Sequence, residues 1–450
     1  MVCSGEEFPV IKIISSCWAL FLGMALIMLG NGLQNSLLGL HASHQGFSIS
    51  VTGLVMSGYY VGMIIGAKAV PNIVQRVGHI RSFGALASLA STSVLVHYIF
   101  IEPWVWWALR FITGFAYAGL YVVAESWLND TAENETRGQL LGFYMLIAFG
   151  GLAGGQFMLN IASPEGFQLF ILISVFVSIA VIPILISVSR APAFETNESV
   201  GILQLIKVSP LGVFGTFASG TAAGAIFGMG AVYASSIGLS TKEISFFMGS
   251  LIIGGGLMQY PIGRVSDVIG RRKIIILTCF IGAVASLGAI IINPSGLLIY
   301  LQIAIVGGLT LPLYPLCTTH TNDYLTPGQR VAASGTLVMA YGSGAAIGAP
   351  FVAFYMELMG PQGFFHAIGI SFALISILAF VRSTQRDATA IEGQGDFMPL
   401  TPTPSSVSFN PNLELEEIEA ASGVSKVEIQ TSFEELADEL NTESESEKNK

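Results

Sequence analysis

Apolar runs roughly twenty residues long recur along this chain, with the charges confined to the gaps between them. Only 11% of the residues are charged and 52% are hydrophobic, whereas a soluble globular chain carries about 25% charge. A water-soluble fold of this length would need charged cover that is missing here. Backbone groups in hydrocarbon must satisfy one another, so runs of this length cross a bilayer as helices. The sequence therefore predicts an all-α membrane protein with about twelve transmembrane helices. Expected spans are 13–38, 49–72, 82–101, 103–128, 138–161, 167–189, 206–235, 243–262, 274–293, 296–320, 331–357 and 363–382. Glu6 and Glu7 precede a first run too long for a cleavable signal, so that run is expected to stay.

The placement of Lys and Arg orients these spans. One set of loops and span ends receives Lys12, Arg76, Arg81, Arg137, Arg190, Lys207, Arg264, Arg271, Arg272, Lys273, Arg330, Arg382 and Arg386. The other set receives Lys242. That bias predicts both termini in the cytoplasm. The Asn-x-Ser/Thr triplets at Asn129, Asn134 and Asn197 then face inward and are expected to stay unglycosylated.

The longest internal connection, near Arg190–Leu205, divides the spans evenly. Expected units are a first bundle over 1–189, a linker over 190–205, a second bundle over 206–386 and a tail over 387–450. The two bundles repeat. Gly46-Phe47-Ser48 matches Gly238-Leu239-Ser240, Gly78 matches Gly270, and Arg81 matches Lys273. Tyr121–Asp130 matches Tyr314–Asp323, and Arg137 matches Arg330. Equal sidedness makes this a parallel repeat with its axis along the membrane normal, which puts a substrate site near the midplane between halves.

The net charge of −10 describes the tail. Positions 387–450 hold fifteen acidic and three basic residues, rich in Ser, Thr and Pro, and are expected to be disordered. Ser432-Phe433-Glu434-Glu435 resembles a capping box, which leaves a partner-binding helix as the alternative to a solvated tail. Nothing in this balance points to nucleic acid. Cys3, Cys17, Cys279 and Cys317 show no metal spacing and read as small apolar residues. No phosphate-binding glycine–lysine loop, catalytic triad or metal cluster appears, so the sequence predicts neither an enzyme nor a cofactor.

Polar groups inside spans are the candidate site residues. Arg110, Gly114, Tyr117, Tyr121 and Glu125 are spaced four, three, four and four, and form one helical stripe. A charge there must look into protein or water. Arg110 either holds an anionic or polar ligand or serves a structural role. Glu125 either couples protons or pairs with Arg76 or Arg81. Asn31 and Gln34 lie one turn apart, able to bond a ligand or a neighbouring helix. Gln156, Gln259, Gln302 and Tyr314 are further inward candidates for substrate binding, and His320 is a second proton-coupling candidate beside an interfacial role. Arg76, Gly78 and Arg81, with Gly263, Asp267, Gly270, Arg271 and Arg272, form paired basic turns that could gate the cytoplasmic face. Gly150, Gly151, Gly154 and Gly155, with Gly344 and Gly348, predict close helix contacts where the halves rock.

Gly263-Arg-x-x-Asp267-x-x-Gly270-Arg271-Arg272-Lys273 resembles the signature between spans two and three of the major facilitator superfamily. Arg110-x-x-x-Gly114 resembles its span-four motif. Leu29–Leu33, Gly46-Phe47-Ser48, Arg76–Arg81 and Ala124–Asn129 resemble its YcaD-like bacterial permease branch. Gln75 stands where the first turn's acidic residue is expected, and Gly151 where an antiporter motif carries Pro. The resemblance covers roughly residues 10–385. It implies a secondary transporter of the bacterial inner membrane, moving a metabolite or drug-like solute by rocker-switch alternating access. Protons are the candidate coupling ion and a monomer is expected. An uncoupled facilitator, or a sensor signalling through the acidic tail, is the alternative.

Overall fold

The computed structural model describes residues 17–131, 134–186, 201–292, 294–385, 394, 395, 397 and 399–401. The helices are α1 (Trp18–His44), α2 (Ile49–Val77), α3 (His79–Ile99), α4 (Pro103–Thr131), α5 (Asn134–Phe157), α6 (Gln168–Ile179), α7 (Val181–Ile186) and α8 (Ile202–Val208). They continue as α9 (Pro210–Ser236), α10 (Thr241–Ile269), α11 (Arg271–Ile292), α12 (Leu297–Thr310), α13 (Leu313–Asn322), α14 (Pro327–Met359) and α15 (Gly363–Gln385).

Among the described residues, 11 helical stretches are long and apolar enough to cross a membrane. The expected span at 243–262 is not one of them. It lies within α10, whose 29 residues suffice in length. Gly254, Gly255, Gly256 and Gln259 dilute its apolar character. Large apolar side chains face outward on many helices, including Leu146, Ile182, Leu257, Phe280, Ile291 and Leu374. Such a coat suits lipid as the surrounding solvent.

The repeat is legible in local geometry. Gly46 and Gly238 both have positive φ, at 78° and 84°. Phe47 N–H donates to Ala42 O at 3.0 Å, and Leu239 N–H to Ala234 O at 3.1 Å. The same helix-ending motif therefore closes α1 and α9. Ser48 and Ser240 then cap α2 and α10 by accepting from Val51 and Glu243 N–H. Both capped helices run 29 residues, about 43 Å. They end on Gly78 and Gly270, whose φ values of 91° and 101° suit glycine alone. The two basic turns thus share one end of the molecule, here the basic end.

The halves touch towards the opposite end. Ser50 N–H donates to Glu357 Oε1 at 3.0 Å, and Asn160 Nδ2 to Ser245 Oγ at 2.8 Å. Phe157 and Phe246 meet edge-on, centroids 5.4 Å apart. Gly53 is seated against Ala349 and Ala353, and Gly228 against Ala349 and Met56.

The glycines expected at a rocking seam lie elsewhere. A Cβ on Gly151 would meet Met28, and one on Gly155 would meet the α1 backbone. Gly344 and Gly348 abut Phe217 and Thr221 of α9. These contacts knit each half internally. Gly150 has open space around its would-be Cβ, and Gly154 meets the Leu29 side chain.

A few residues of the tail pack onto the body, while the rest of 387–450 lies outside the described residues. Described residues Phe397 and Leu400 pack against the apolar core, and Thr401 is buried. The helix expected around Ser432 lies outside the described residues, as does most of the 190–205 linker.

Candidate functional site

Helix α4 lies against α2 because small residues let their backbones meet. Gly58, Gly62 and Gly66 of α2 abut Trp107, Phe111 and Phe115, while Gly114 of α4 abuts Tyr59. This four-residue glycine ladder is visible in the sequence and was not among the expected motifs. Its consequence is to press Tyr59 against the α4 stripe.

The stripe is buried as its spacing predicts. Tyr117 and Tyr121 are fully buried, and Arg110 retains 2% of its surface. The Arg110 guanidinium carbon sits 4.6 Å from the centre of the Tyr59 ring, within cation–π range. Tyr59 stands 6.3 Å from Tyr117, which stands 6.2 Å from Tyr121, and 5.3 Å from Tyr60. From α1, Asn31 Nδ2 donates to the Tyr121 hydroxyl at 2.6 Å. Gln34 is fully buried one turn further along α1.

Several polar atoms here meet no hydrogen-bond partner among the described residues. They are Nε and Nη1 of Arg110, both amide atoms of Gln34, Oδ1 of Asn31, and the hydroxyls of Tyr59 and Tyr117. No described carboxylate forms a salt bridge with Arg110. A guanidinium stays protonated when buried, and an uncompensated buried charge costs several kcal/mol. The cluster is a buried polar group among aromatic rings, with both donors and acceptors left without partners among the described residues. Asn31, Gln34, Arg110, Tyr117 and Tyr121 belong to this group. Tyr59 and Tyr60 join it, signalled in sequence only by two adjacent tyrosines within a span.

Other candidates are used elsewhere. Gln156 donates to Gly32 O at 2.7 Å and accepts from Ser36 at 2.5 Å, so it ties α5 to α1. Gln302 donates to Ala285 O at 2.6 Å and ties α12 to α11. Both satisfy helix neighbours. Tyr314 stacks edge-on against Tyr341, 4.9 Å apart, on the second half. Gln259 Nε2 donates to Leu400 O of the tail at 2.7 Å.

The basic end forms a second polar group. Arg271 is buried and pairs with Asp267 one turn back at 3.3 Å and with Asp323 beyond α13. Burial pushes the Asp323 carboxyl above its ordinary range, and Arg271 pulls it back down. Arg272 donates to the Tyr324 hydroxyl at 3.3 Å, and His320 lies edge-on to the Tyr324 ring at 5.3 Å. In the first half His79 takes the place that Arg271 holds in the second. It meets Ser126 Oγ at 2.9 Å. Glu125 accepts from Tyr144 at 3.3 Å and Thr401 at 3.4 Å. The expected pairing of Glu125 with Arg76 or Arg81 is not formed. Both arginines are exposed, and the helical register turns them to solvent while Glu125 faces inward. Among the described residues no group of His, Cys, Asp and Glu could hold a metal.

Comparison with known proteins supplies the family. The model for the Major Facilitator Superfamily matches twice in tandem, over residues 20–211 and 212–413. The MFS-type transporter YcaD of Escherichia fergusonii is 26% identical over 374 residues, covering 82% of this chain and 96% of that protein. YcaD of an Escherichia coli strain is 27% identical over 366 residues, covering 80% and 94%. Among solved structures, the nucleoside transporter NupG superposes with TM-score 0.69 at 14% identity, covering 83% of this chain and 99% of that one. A bacterial homologue of the human lysosomal transporter Spinster, inward-facing and occupied, gives 0.67 at 11% identity, covering 87% and 100%.

Proposed function

This chain belongs to the Major Facilitator Superfamily, and from that membership we propose that it carries a small solute with an anionic group across a bacterial inner membrane by alternating access. About twelve helices cross the bilayer, α10 included, with the basic end and both termini in the cytoplasm. The halves, 1–189 and 206–386, rock about the midplane. Arg110 is the residue that selects the cargo.

One observation carries the choice of charge: a buried guanidinium whose Nε and Nη1 meet no described acceptor. A carboxylate or phosphate would fill both with charge-assisted bonds. Tyr59 and Tyr117 would flank the rest of the solute, and Asn31 and Gln34 would bond its polar groups. Glu125, buried 5% exposed at the basic end, is the group through which a proton gradient would act, with His320 as its counterpart on α13.

The test is a thermal-unfolding screen of purified protein against benzoate, phosphate and a panel of neutral and cationic solutes. Anionic solutes raise the unfolding temperature of the native chain and leave that of Arg110→Ala unmoved. Reconstituted vesicles then show uptake of the same solutes. Stabilisation and uptake of neutral or cationic solutes, unchanged in Arg110→Ala, would defeat the assignment.

A further inference from the structure

At the basic end, described residues of this chain's own tail lie against α10, the start of α11 and α4. They climb α10 from the membrane face inward. Gly395 O accepts from Arg271. Phe397 N–H donates to Asp267 Oδ1 at 3.1 Å. The Phe397 ring covers Gly263, filling the space that any side chain there would need. Leu400 O accepts from Gln259. The contacts on α10, from Asp267 to Gln259, span eight residues (267 − 259), or about 12 Å, with Arg271 just past the Gly270 turn. At the inner limit Thr401 is 7% exposed and its hydroxyl donates to Glu125 on α4 of the other half. The tail therefore bridges both halves through the residues of the second basic turn.

We propose that the described tail residues Gln394, Gly395, Phe397 and 399–401 act as a tethered plug that closes the cytoplasmic mouth and must withdraw before solute passes or the halves close there. The contacts suit a reversible part. They are few: one aromatic ring and four hydrogen bonds, of which the one to Gln259 is neutral and those to Arg271, Asp267 and Glu125 involve a charged group, worth about 1.5–3 kcal/mol each. Gln394 follows Gln385, the last residue of α15, by nine positions (394 − 385). So short a tether gives an effective concentration of order millimolar, so weak contacts suffice to seat it. The seat has a built-in point of release. A negative charge at position 401 would face the Glu125 carboxylate in a buried setting, where like charges repel strongly. The inference rests on the transport reading for its consequence, but seating is measured without any solute, so the two fail separately.

The test is alkylation of Thr401→Cys in the full chain, with Cys3, Cys17, Cys279 and Cys317 replaced by Ser, using a polyethylene-glycol maleimide. A synthetic peptide of residues 394–408 with the same cysteine gives the unprotected rate. The seated cysteine reacts at least about tenfold more slowly than the peptide, the ratio for a site open a tenth of the time. Adding Phe397→Ala, or Gly263→Leu to deny the ring its seat, returns the rate towards that of the peptide. Equal rates in chain and peptide would overturn the plug. So would protection that neither variant relieves, because the cysteine would then be shielded by something other than this seat. Phe397→Ala alters a residue outside the helical body, so its fold is retained if the Gly263 variant fails.

Discussion

At the scale of single residues, two arginines solve the burial of charge in opposite ways. Arg271 is locked between carboxylates of unequal depth: the Asp323 side chain is 3% exposed and that of Asp267 is 27% exposed. Removing the deeper partner leaves more uncompensated charge. Asp323→Ala is expected to cost about 3–5 kcal/mol of stability, and Asp267→Ala no more than about 1 kcal/mol. Thermal unfolding of the purified variants checks the order. Arg110 has no such partner among the described residues, and its guanidinium rests on the Tyr59 ring instead. Tyr121→Phe removes the acceptor of Asn31 Nδ2. The orphaned amide should cost about 1–3 kcal/mol, read as a lower unfolding temperature. The stripe from Arg110 to Glu125 was legible because helical periodicity is a property of spacing. The fates of Gln156 and Gln302 were not. A buried amide has the same sequence signature whether it bonds a helix neighbour or a solute, and only the fold showed both already engaged.

At the scale of elements, glycine spacing predicted close approach but not between which helices. Gly151 and Gly150 are adjacent in sequence and turn opposite ways, one into Met28 and one into open space. Gly151→Leu is expected to destabilise by about 1–3 kcal/mol through overpacking, and Gly150→Leu to be tolerated. Comparative yields and melting curves of the two variants decide this. Gly62→Leu should be worse than either, because its Cβ would land on the Phe111 backbone, which moves less readily than a side chain. The turns were the best-read elements. Gly46, Gly78, Gly238 and Gly270 were picked out by the repeat, and each holds a positive φ. Their legibility has a plain cause: a backbone that only glycine tolerates leaves a fixed mark in sequence. The packing of Phe397, Leu400 and Thr401 was missed for the converse reason. Composition averages over many residues, so a short seated stretch inside an acidic region disappears from it.

At the scale of the whole molecule, the proposed alternating access requires the seam at Ser50–Glu357 and Asn160–Ser245 to open. Replacing Asn160 and Ser245 with Cys and joining them with a short bifunctional thiol reagent should abolish solute flux in vesicles, while a reagent long enough to span the opened gap restores it. Flux that survives the short reagent would place the moving parts elsewhere. That seam is long: α14 lies along α2, α10 along α5 and α9 along α1, with two hydrogen bonds and an edge-on ring pair among its contacts. Each half, by contrast, is bound through backbone-to-backbone contacts at its glycines. Across the seam the contacts are chiefly between side chains, such as Gly342 against Ile64 and Gly256 against Phe149, so it yields before either shell does. Collective motions of this kind fall in the microsecond-to-millisecond range. On the proposed reading, thermal motion moves the halves, and an imposed gradient would contribute only the sense in which the traffic runs.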